Sequence, residues 1–500
     1  MPERTILAEL LADPTSKAPA IIDCASTLTI SYRDLAQQIE RLAGQLAAAG
    51  LSPGQRVSIV LPNGLEFLVV FLAVARAGLV AAPLNPAYKL DELLFFIEDA
   101  QARAIVGPRN NSALVEAAQR LEVPLWPTRI DPAGQVQIDE LGGKRPVDRP
   151  APNPTDMVLF LHTSGTTSRP KGVPLTHANV MRSINNIAAH YGLSPADRSL
   201  VVMPLFHVHG LIGATFSSLA AGGAVIVPPR FSAQQFWNLA QTYEATWYSA
   251  VPTIHQVLLL RAESDGAPAH SGFRFIRSCS SALAASTLAQ LEARFAAPVL
   301  EAYGMTEAAH QVASNPLPPA VHKPGTVGVG GRVEVAIMDE AGNLLRSGEA
   351  GEVVIKGANV TSGYWNNPEA NSTAFTNGWF RTGDRGTIDP QGYVTLIGRI
   401  KELINRGGEK ISPLEIDAVL LEHPAVAEAA SFGSPSELYG EEVAAAVVLK
   451  GEASAQELQN HCRGRLAEFK VPKTIYIVEA LPKGPTGKVQ RREMAAFVKR

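Results

Sequence analysis

Helical segments alternate with short apolar strands through the first three hundred residues of the chain. Residues 31–34 form a capping box, and the helix that they open carries four leucine or isoleucine side chains on one face before Gly50 ends it. An apolar strand follows at residues 56–61, and similar helix-to-strand units recur at residues 178–203 and 236–249. Because strands joined by crossover helices run parallel, this alternation predicts a layered α/β fold with parallel sheets.

The pattern changes after about residue 325, where glycine-rich, β-prone segments replace the helices. Predicted strands lie at residues 334–338, 351–355 and 393–397, with turn signals between them. These segments predict an antiparallel sheet or a small barrel-like subdomain. From Gly398 onward the charge density rises, and the sequence predicts a compact α+β unit.

The composition restricts the class of function. The chain has 500 residues, and 44 basic against 47 acidic side chains leave a formal charge of −3. This balance argues against a protein that binds nucleic acid through clustered positive charge. With 46% hydrophobic residues the chain can form large cores, and its length predicts three folding units, or two if one is large.

The cysteines and the apolar stretches indicate the compartment. Cys24, Cys279 and Cys462 are widely spaced, which fits neither a disulfide framework nor a zinc site and favours a reducing compartment. The first residues lack the basic and apolar regions of a signal peptide. The apolar stretches at residues 67–84 and 211–229 are interrupted, and each predicts a buried helix, a turn and a buried strand. We therefore expect a soluble, cytoplasmic protein without a membrane span.

The strongest local signal is a run of small hydroxyl residues and glycine that follows an apolar strand at residues 157–161. Such a run presents backbone N–H groups and hydroxyl donors to phosphate oxygens, and a lysine near its end adds positive charge. Its residue order differs from that of a Walker loop. A flexible polar turn is the alternative, which the attached Pro-Lys-Gly disfavours. The run is Thr163-Ser164-Gly165-Thr166-Thr167-Ser168-Arg169-Pro170-Lys171-Gly172.

This decapeptide resembles the phosphate-loop signature of the acyl-adenylate-forming superfamily, which includes acyl-CoA synthetases, coumarate–CoA ligases, luciferases and adenylation domains of peptide synthetases. Most members have glycine where this chain has Ser168. Four further segments resemble, in the family's order, its adenine and magnesium motif, its ribose-binding motif, its hinge and its catalytic-lysine loop. They are Tyr303-Gly304-Met305-Thr306-Glu307, Thr382-Gly383-Asp384, Gly398-Arg399-Ile400-Lys401-Glu402 and Pro485-Thr486-Gly487-Lys488.

The resemblance covers nearly the whole chain and implies its domain organisation. It implies an N-terminal AMP-binding domain of layered α/β subdomains at residues 1–398, whose β-rich subdomain lies at about 325–398. A hinge at residues 399–401 would join it to a small, mobile α+β C-terminal domain at residues 402–500. The implied activity is that of an acid–CoA ligase that uses ATP, Mg²⁺ and coenzyme A, as a monomer or homodimer.

The chemistry that the resemblance implies has two steps. A carboxylate attacks the α-phosphorus of ATP to give an acyl-adenylate and pyrophosphate, and the thiolate of coenzyme A then displaces AMP. Because negative charge grows on the phosphates in the first step, fixed cations and donors must stabilise it. Thr306 and Glu307 are implied as catalytic, with Glu307 as the Mg²⁺ ligand. The implied nucleotide-binding residues are Thr163, Ser164, Gly165, Thr166, Thr167, Lys171, Ser278, Ser280, Glu301, Ala302, Tyr303, Gly304, Asp384 and Arg399.

Lys488 carries the largest part of the implied mechanism. It would bridge the carboxylate and the α-phosphate in the first step. In the second step the C-terminal domain would turn about Lys401, withdraw Lys488 and present Gly408 and Lys410 to coenzyme A. Without the resemblance, Lys488 would be interpreted as a solvated charge and Glu307 as a surface glutamate.

The acid is the least determined part of the prediction. Residues 204–210, 247–255 and 275–280 are among the stretches that resemble oxalate–CoA ligases more closely than other members, and we therefore expect oxalate. A dicarboxylate leaves one carboxylate in the acyl pocket, where an unpaired charge would be very costly. The candidates that would meet the acid are His207, which resembles the family's gate residue, His209, Ser281 and His310 for the distal carboxylate, and Arg277 as an alternative.

Several alternatives stay open from the sequence. Malonate, a fatty acid or an aromatic acid such as coumarate would fit the same motifs, because the depth of a pocket is not readable from sequence. An enzyme that passes its acyl group to a carrier protein, a non-catalytic ATP-binding scaffold and a luciferase-type oxygenase are the other functions. The stretch at residues 406–410 favours coenzyme A, and the presence of Glu307 and Lys488 argues against a scaffold.

Overall fold

The computed structural model describes residues 4–163, 170–484 and 486–498. Its fold is mixed α/β with a strand-rich part from residue 334 onward, which confirms the predicted fold class. In chain order the strands are β1 (Pro19–Asp23), β2 (Leu28–Ser31), β3 (Arg56–Ile59), β4 (Val80–Pro83), β5 (Ala104–Val106), β6 (Leu125–Trp126), β7 (Thr128–Ile130), β8 (Val136–Ile138), β9 (Met157–Thr163), β10 (Lys171–Thr176), β11 (Arg198–Leu200), β12 (Ala224–Val227), β13 (Trp247–Ala250), β14 (Phe275–Ser278), β15 (Val299–Met305), β16 (His310–Ser314), β17 (Glu334–Met338), β18 (Gly351–Lys356), β19 (Phe375–Thr376), β20 (Trp379–Ile388), β21 (Val394–Arg399), β22 (Ile404–Arg406), β23 (Glu409–Ile411), β24 (Val426–Ser436), β25 (Gly440–Leu449) and β26 (Thr474–Ile477).

The helices connect these strands and cover the faces of the sheets. A π-helix at His209–Phe216 runs directly into the sixth α-helix. The α-helices are α1 (Tyr32–Ala48), α2 (Leu65–Arg76), α3 (Leu90–Asp99), α4 (Ser112–Arg120), α5 (His177–His190), α6 (Ser217–Ala220), α7 (Ala233–Thr242), α8 (Pro252–Leu260), α9 (Ala285–Phe295), α10 (Pro368–Ala374), α11 (Pro413–Leu421), α12 (Ala455–Arg463) and α13 (Met494–Phe497).

The eight-stranded sheet forms one side of the candidate active site. Its order is β16-β15-β14-β13-β11-β12-β1-β2, and the strands from β1 to β15 pair in parallel while β2 and β16 pair antiparallel at the edges. The register places Ser249 beside Arg277 and Ala250 beside Ser278. Because the carboxyl ends of parallel strands meet at one edge of a sheet, the loops after β13, β14 and β15 converge there.

The six-stranded sheet has the order β10-β9-β4-β3-β5-β6, and all its pairings are parallel except that of β10 with β9. Helix α2 is apolar on nearly all sides because it lies inside the core that both large sheets share. Helix α1 begins as the capping box predicts, since the Ser31 side chain accepts a hydrogen bond from the backbone N–H of Asp34.

Two smaller sheets follow the large ones. The first is antiparallel, has the order β17-β18-β20-β19 with β21 paired to β20, and covers residues 334–399. The second has the order β23-β22-β25-β24 with β26 paired in parallel to β25. Between them lies a 3-10 turn at Ile400–Glu402, which is where the sequence places a hinge. The domain boundaries themselves stay predictions.

The two apolar stretches fold as buried elements. Residues 67–84 contain most of α2, a turn at Gly78 and strand β4. In residues 211–229 the expected helix is largely π-helical and is followed by α6, a turn at Gly222 and strand β12. Within the described residues, the structure contains no helix with the length and apolar character needed to cross a membrane.

Candidate active site

A carboxylate on strand β20 joins three of the sequence motifs. The Arg399 Nε atom lies 2.8 Å from Asp384 Oδ1, and the Tyr303 hydroxyl donates to Asp384 Oδ2. Asp384 and Arg399 are cross-strand neighbours in β20 and β21, whereas Tyr303 comes from β15 of the eight-stranded sheet. Burial, followed by the nearby Asp384 charge, raises the pKa of Tyr303 well above its ordinary value, so Tyr303 stays a hydrogen-bond donor.

Glu307 lies next to this group, in a 3-10 turn that follows β15. It is 7% exposed, its Oε1 atom accepts a hydrogen bond of 2.8 Å from the Tyr364 hydroxyl, and burial raises the pKa of its carboxyl. The Tyr364 ring in turn faces the Lys171 ammonium at 4.5 Å. Lys171 pairs with Thr163 across the β9–β10 ladder, so the start and the end of the predicted phosphate loop lie together. Ser164, Gly165, Thr166 and Thr167 lie outside the described residues.

The loop that carries Lys488 reaches the same cleft from the C-terminal part of the chain. The Thr253 hydroxyl donates to the carbonyl oxygen of Gly487 at 3.4 Å, which holds the loop against the start of helix α8. Burial among protein groups lowers the pKa of Lys488, with Arg399 as the next cause, although the residue keeps an exposed surface. The positive charge of Lys488 therefore lies near Asp384 and Arg399.

His207 lies within reach of the charge of this lysine. Burial lowers the pKa of His207 to about 4, and the Lys488 charge adds to the effect. Its Nδ1 atom accepts a hydrogen bond of 3.3 Å from the backbone N–H of His209. His207 is therefore a neutral imidazole at physiological pH, with its proton on Nε2.

Two further histidines are stacked deeper in the site. The rings of His209 and His310 are 5.3 Å apart at 22°, and both side chains are buried. His310 has a φ of +101° after Ala309 at +49°, a left-handed backbone that costs about 1–3 kcal/mol per residue and is typical of functional sites. A register shift between β15 and β16 lies two residues further on, at Val312, between the Tyr303–Ala313 and Gly304–Gln311 pairs. The backbone is thus bent where it presents His310.

Two glycines leave the space that His310 occupies. A Cβ atom at Gly213, on the π-helix, would lie 2.5 Å from His310 Nε2, and one at Gly304 would lie 2.2 Å from the carbonyl oxygen of His310. The His310 Nε2 atom is buried and has no hydrogen-bond partner in the structure. A buried polar atom of this kind is a candidate for contact with a bound molecule.

Behind His209 lies a fully buried guanidinium. His209 Nε2 is 2.6 Å from Ser249 Oγ, and Arg277 Nη1 donates to the same oxygen at 3.1 Å. On its other side His209 Nδ1 is 3.0 Å from Ser280 Oγ. From the sequence, Arg277 is a candidate direct charge partner of the acid. In the structure, it is linked to His209 by hydrogen bonds through Ser249.

The remaining predicted residues lie at different depths. Ser280 has a φ of +74° and touches His209, whereas Ser281 is exposed at the next position. Glu301 is buried, and its Oε2 atom accepts a hydrogen bond of 2.9 Å from the backbone N–H of Gly325. In or beside the strands, Ser278 and Ala302 are buried, and Gly304 and Thr306 are half-buried. Near the C-terminal sheet, three predicted residues are exposed: Lys401, Gly408 and Lys410.

Sequence reasoning missed two functional candidates, Tyr364 and Ser249. Tyr364 contacts Glu307 from a loop 57 residues further along the chain, and no motif marks it. Ser249 lies inside a stretch noted only for its resemblance, and its role depends on a cross-strand neighbour, Arg277. Neither contact is readable from the sequence, because the first depends on the path of a loop and the second on the sheet register.

Comparisons with known proteins agree over nearly the full length. The AMP-binding enzyme family matches residues 10–365, and the C-terminal domain of AMP-binding enzymes matches residues 415–488. The oxalate–CoA ligase of Arabidopsis thaliana is 47% identical over 98% of this chain and 98% of its own length, and that of Saccharomyces cerevisiae is 44% identical over 95% and 94%. The crystal structure of ATP-bound MatB from Rhodopseudomonas palustris superposes with a TM-score of 0.88 at 34% identity, covering 99% of this chain and 98% of that one.

Glu301 generates a prediction about stability and pH. Burial raises its pKa from an ordinary 4.5 to about 7, so the folded protein holds a proton that the unfolded chain releases. The folded state therefore binds more protons between these values, and its stability falls as the pH rises through this window. Glu301→Gln removes this loss, so its Tm relative to the unaltered protein should rise from about pH 5 to about pH 7.5 and then level off. Parallel Tm curves in calorimetry across that range would contradict the assignment.

Proposed function

The chain belongs to the AMP-binding enzyme family and is an acid–CoA ligase, and on that premise we propose that it converts oxalate to oxalyl-CoA with ATP and coenzyme A. The reaction has two steps. Oxalate displaces pyrophosphate from ATP to form oxalyl-adenylate, and the thiolate of coenzyme A then displaces AMP. Two relatives that are oxalate–CoA ligases and match nearly the full chain support this proposal.

The observation that carries the choice of acid is the polar wall of the acyl side of the cleft. His209, Ser280 and His310 form this wall, and the buried Arg277 guanidinium lies behind it. A fatty or aromatic acid would place apolar carbon against unpartnered polar atoms such as His310 Nε2, at a cost for each unmade hydrogen bond. The second carboxylate of oxalate instead accepts hydrogen bonds there. Ser281 stays a candidate at the rim.

Charges around the triphosphate support the first step. Lys488 and Lys171 supply positive charge to the phosphates and the attacking carboxylate, where negative charge grows. Asp384 accepts hydrogen bonds from the ribose hydroxyls, because each of its oxygens has a further lone pair beyond those used by Arg399 and Tyr303. Ser278, Ala302 and Gly304 stay candidates for contact with the adenine base.

Glu307 fits a magnesium ion that is carried by ATP. Magnesium takes one or two protein carboxylates and completes its octahedron with phosphate oxygens and water, and Glu307 offers one such carboxylate beside Thr306. The Tyr364 hydroxyl donates a hydrogen bond to Glu307 Oε1 and so orients the carboxylate. Bound there, the ion would neutralise phosphate charge.

The second step requires the C-terminal domain to change its position. The structure has the Lys488 loop at the cleft and the hairpin of Gly408 and Lys410 in solvent, an arrangement suited to the first step. We expect rotation about Lys401 to exchange the two, so that the hairpin faces coenzyme A. His207 then lies between the adenylate and the entering thiol.

The three free thiols of Cys24, Cys279 and Cys462 suit a reducing compartment such as the cytoplasm, where ATP and coenzyme A are available.

A substrate panel tests the proposed acid. Purified protein with ATP, Mg²⁺ and coenzyme A should release AMP fastest, at limiting acid, with oxalate rather than malonate, acetate, hexanoate or coumarate. The polar wall of His209, Ser280 and His310 favours a second carboxylate, which acetate, hexanoate and coumarate lack, and malonate tests the size of the acid. Coupled AMP assays give kcat/KM for each acid. If a fatty or aromatic acid ranks above oxalate, the choice of acid is wrong while the reaction class survives.

Lys488 should separate the two steps. Lys488→Ala should reduce adenylate formation by about 100-fold or more, since it removes a cation from the phosphate, yet retain most thioester formation from pre-formed acyl-adenylate. Lys483→Ala is the matched control, because Lys483 lies in the same loop but pairs with Glu428 at 2.8 Å. Equal losses in both half-reactions would refute the role given to Lys488.

A further inference from the structure

Arg277 is a buried cation whose partners are neutral. It is 0% exposed, and its guanidinium donates to the hydroxyls of Tyr191 at 2.8 Å and Ser249 at 3.1 Å and to Gln311 Oε1 at 3.2 Å, with the Cys279 thiol beside it. In the part of the chain that the structure describes, no carboxylate forms an ion pair with it. A buried charge without an opposite charge is costly to a fold and is typical of a site that serves a charged ligand.

A chain of hydrogen bonds leads away from Arg277, and the donor and acceptor types of its members fix its direction. Arginine is a donor only, so the Ser249 oxygen must accept from it. The buried hydroxyl proton of Ser249 then needs an acceptor, and among the hydrogen bonds of the described residues only His209 Nε2, at 2.6 Å, can take it. Ser249 therefore accepts from Arg277 and donates to His209.

The direction of the hydrogen bonds continues through the imidazole of His209. Burial lowers the pKa of His209 well below its ordinary value, and the Arg277 charge adds to this, so the ring is neutral. A neutral ring that accepts at Nε2 carries its proton on Nδ1, which lies 3.0 Å from Ser280 Oγ. Ser280 thus accepts from His209, and its own hydroxyl proton is left free to point into the pocket.

We propose that Arg277 and Ser249 are positioning residues that act through His209 to make the Ser280 hydroxyl a donor to the second carboxylate of the acid. This inference rests on the proposed function. The four groups form a chain in which every hydrogen bond points from the buried cation towards the pocket. Hydrogen bonds aligned in this way polarise one another, so the positive charge of Arg277 makes the Ser280 hydroxyl a stronger donor to the anion. The anion in turn offsets the buried charge.

Geometry outside the chain supports a fixed role for Arg277. Its Nε and Nη2 atoms are held by Tyr191 and Gln311, so the third donor direction is fixed on Ser249. Ser249 and Arg277 are cross-strand neighbours of β13 and β14, which keeps their spacing constant. Ser280 has a left-handed backbone at φ +74°, which turns its side chain back towards His209. The buried half of the chain, Arg277 and Ser249, is therefore built on rigid strands, while His209 begins the π-helix and Ser280 follows β14.

The test breaks the chain at its middle without touching the charge. Ser249→Ala should raise the KM for oxalate by roughly 10- to 100-fold, the size expected for a hydrogen bond to a charged group, and leave the KM for ATP within about twofold. Ser199→Ala is the matched control, because Ser199 is equally buried on the adjacent strand β11 and its hydroxyl has no partner. A Ser249→Ala enzyme whose oxalate KM equals that of Ser199→Ala, or whose ATP KM rises equally, would overturn the inference.

Charge and geometry are separated at Arg277 itself. Arg277→Lys keeps the cation and should retain part of the oxalate selectivity, whereas Arg277→Met keeps only the volume and should lose it. The measured quantity is the KM for oxalate, which should rise more in Arg277→Met than in Arg277→Lys. Equal oxalate KM values for the two variants would contradict the proposal. If Arg277→Met does not fold, the Ser249 comparison decides. An unaltered enzyme that does not use oxalate at all would instead refute the proposed function.

A spectroscopic measurement reads the tautomer directly. In the full-length protein with ¹⁵N-labelled histidine, the His209 signal, assigned by its loss in His209→Gln, should show a proton on Nδ1. Ser249→Ala should shift this signal because Nε2 loses its donor. A proton found on Nε2 in the unaltered protein would reverse the direction of the chain and overturn the inference.

Discussion

The ion pair between Asp384 and Arg399 connects the parts of this molecule. It joins two strands of the antiparallel sheet at the point where the chain leaves for its C-terminal part, and it receives the Tyr303 hydroxyl from the eight-stranded sheet. Lys488 comes close to it from the other end of the chain. Three charges, Asp384, Arg399 and Lys488, and the neutral hydroxyl of Tyr303 thus lie in one cleft, and the proposed adenylate chemistry requires them there. A nucleotide that binds there would complete the set, because ribose hydroxyls and phosphates match the free acceptors and cations.

The acid side of the cleft follows a different physical rule. His207, His209 and His310 are all kept neutral by burial and by nearby positive charge, as their lowered pKa values indicate. Neutral imidazoles can donate and accept, so a single buried guanidinium can fix the direction of the hydrogen bonds around them. Selectivity for a small dianion would then come from oriented donors and not from a salt bridge at the pocket surface. This arrangement avoids placing an exposed arginine where any carboxylic acid could bind it.

The sequence predicts the fold class and most of the helix-to-strand order because apolar periodicity and caps such as Ser31 are local signals. It also points to Lys488, Glu307 and Asp384 as candidate site residues, because their motifs are contiguous. It does not give the π-helix at His209–Phe216, since no local pattern distinguishes this helix from an ordinary buried one. Ser249, Tyr364 and the position of Arg277 behind the pocket depend on strand register and on loops far apart in the chain, and Ser280 rather than Ser281 touches His209 because of a backbone turn. Such relations exist only after folding.

The account requires that ATP is held so that oxalate can displace its pyrophosphate before coenzyme A takes part. Exchange of labelled pyrophosphate into ATP, measured without coenzyme A, tests this most directly. The account predicts exchange that depends on both Mg²⁺ and oxalate. If neither oxalate nor any other acid of a broad panel supports exchange in the purified protein, the adenylate chemistry and the site assignments built on it are contradicted.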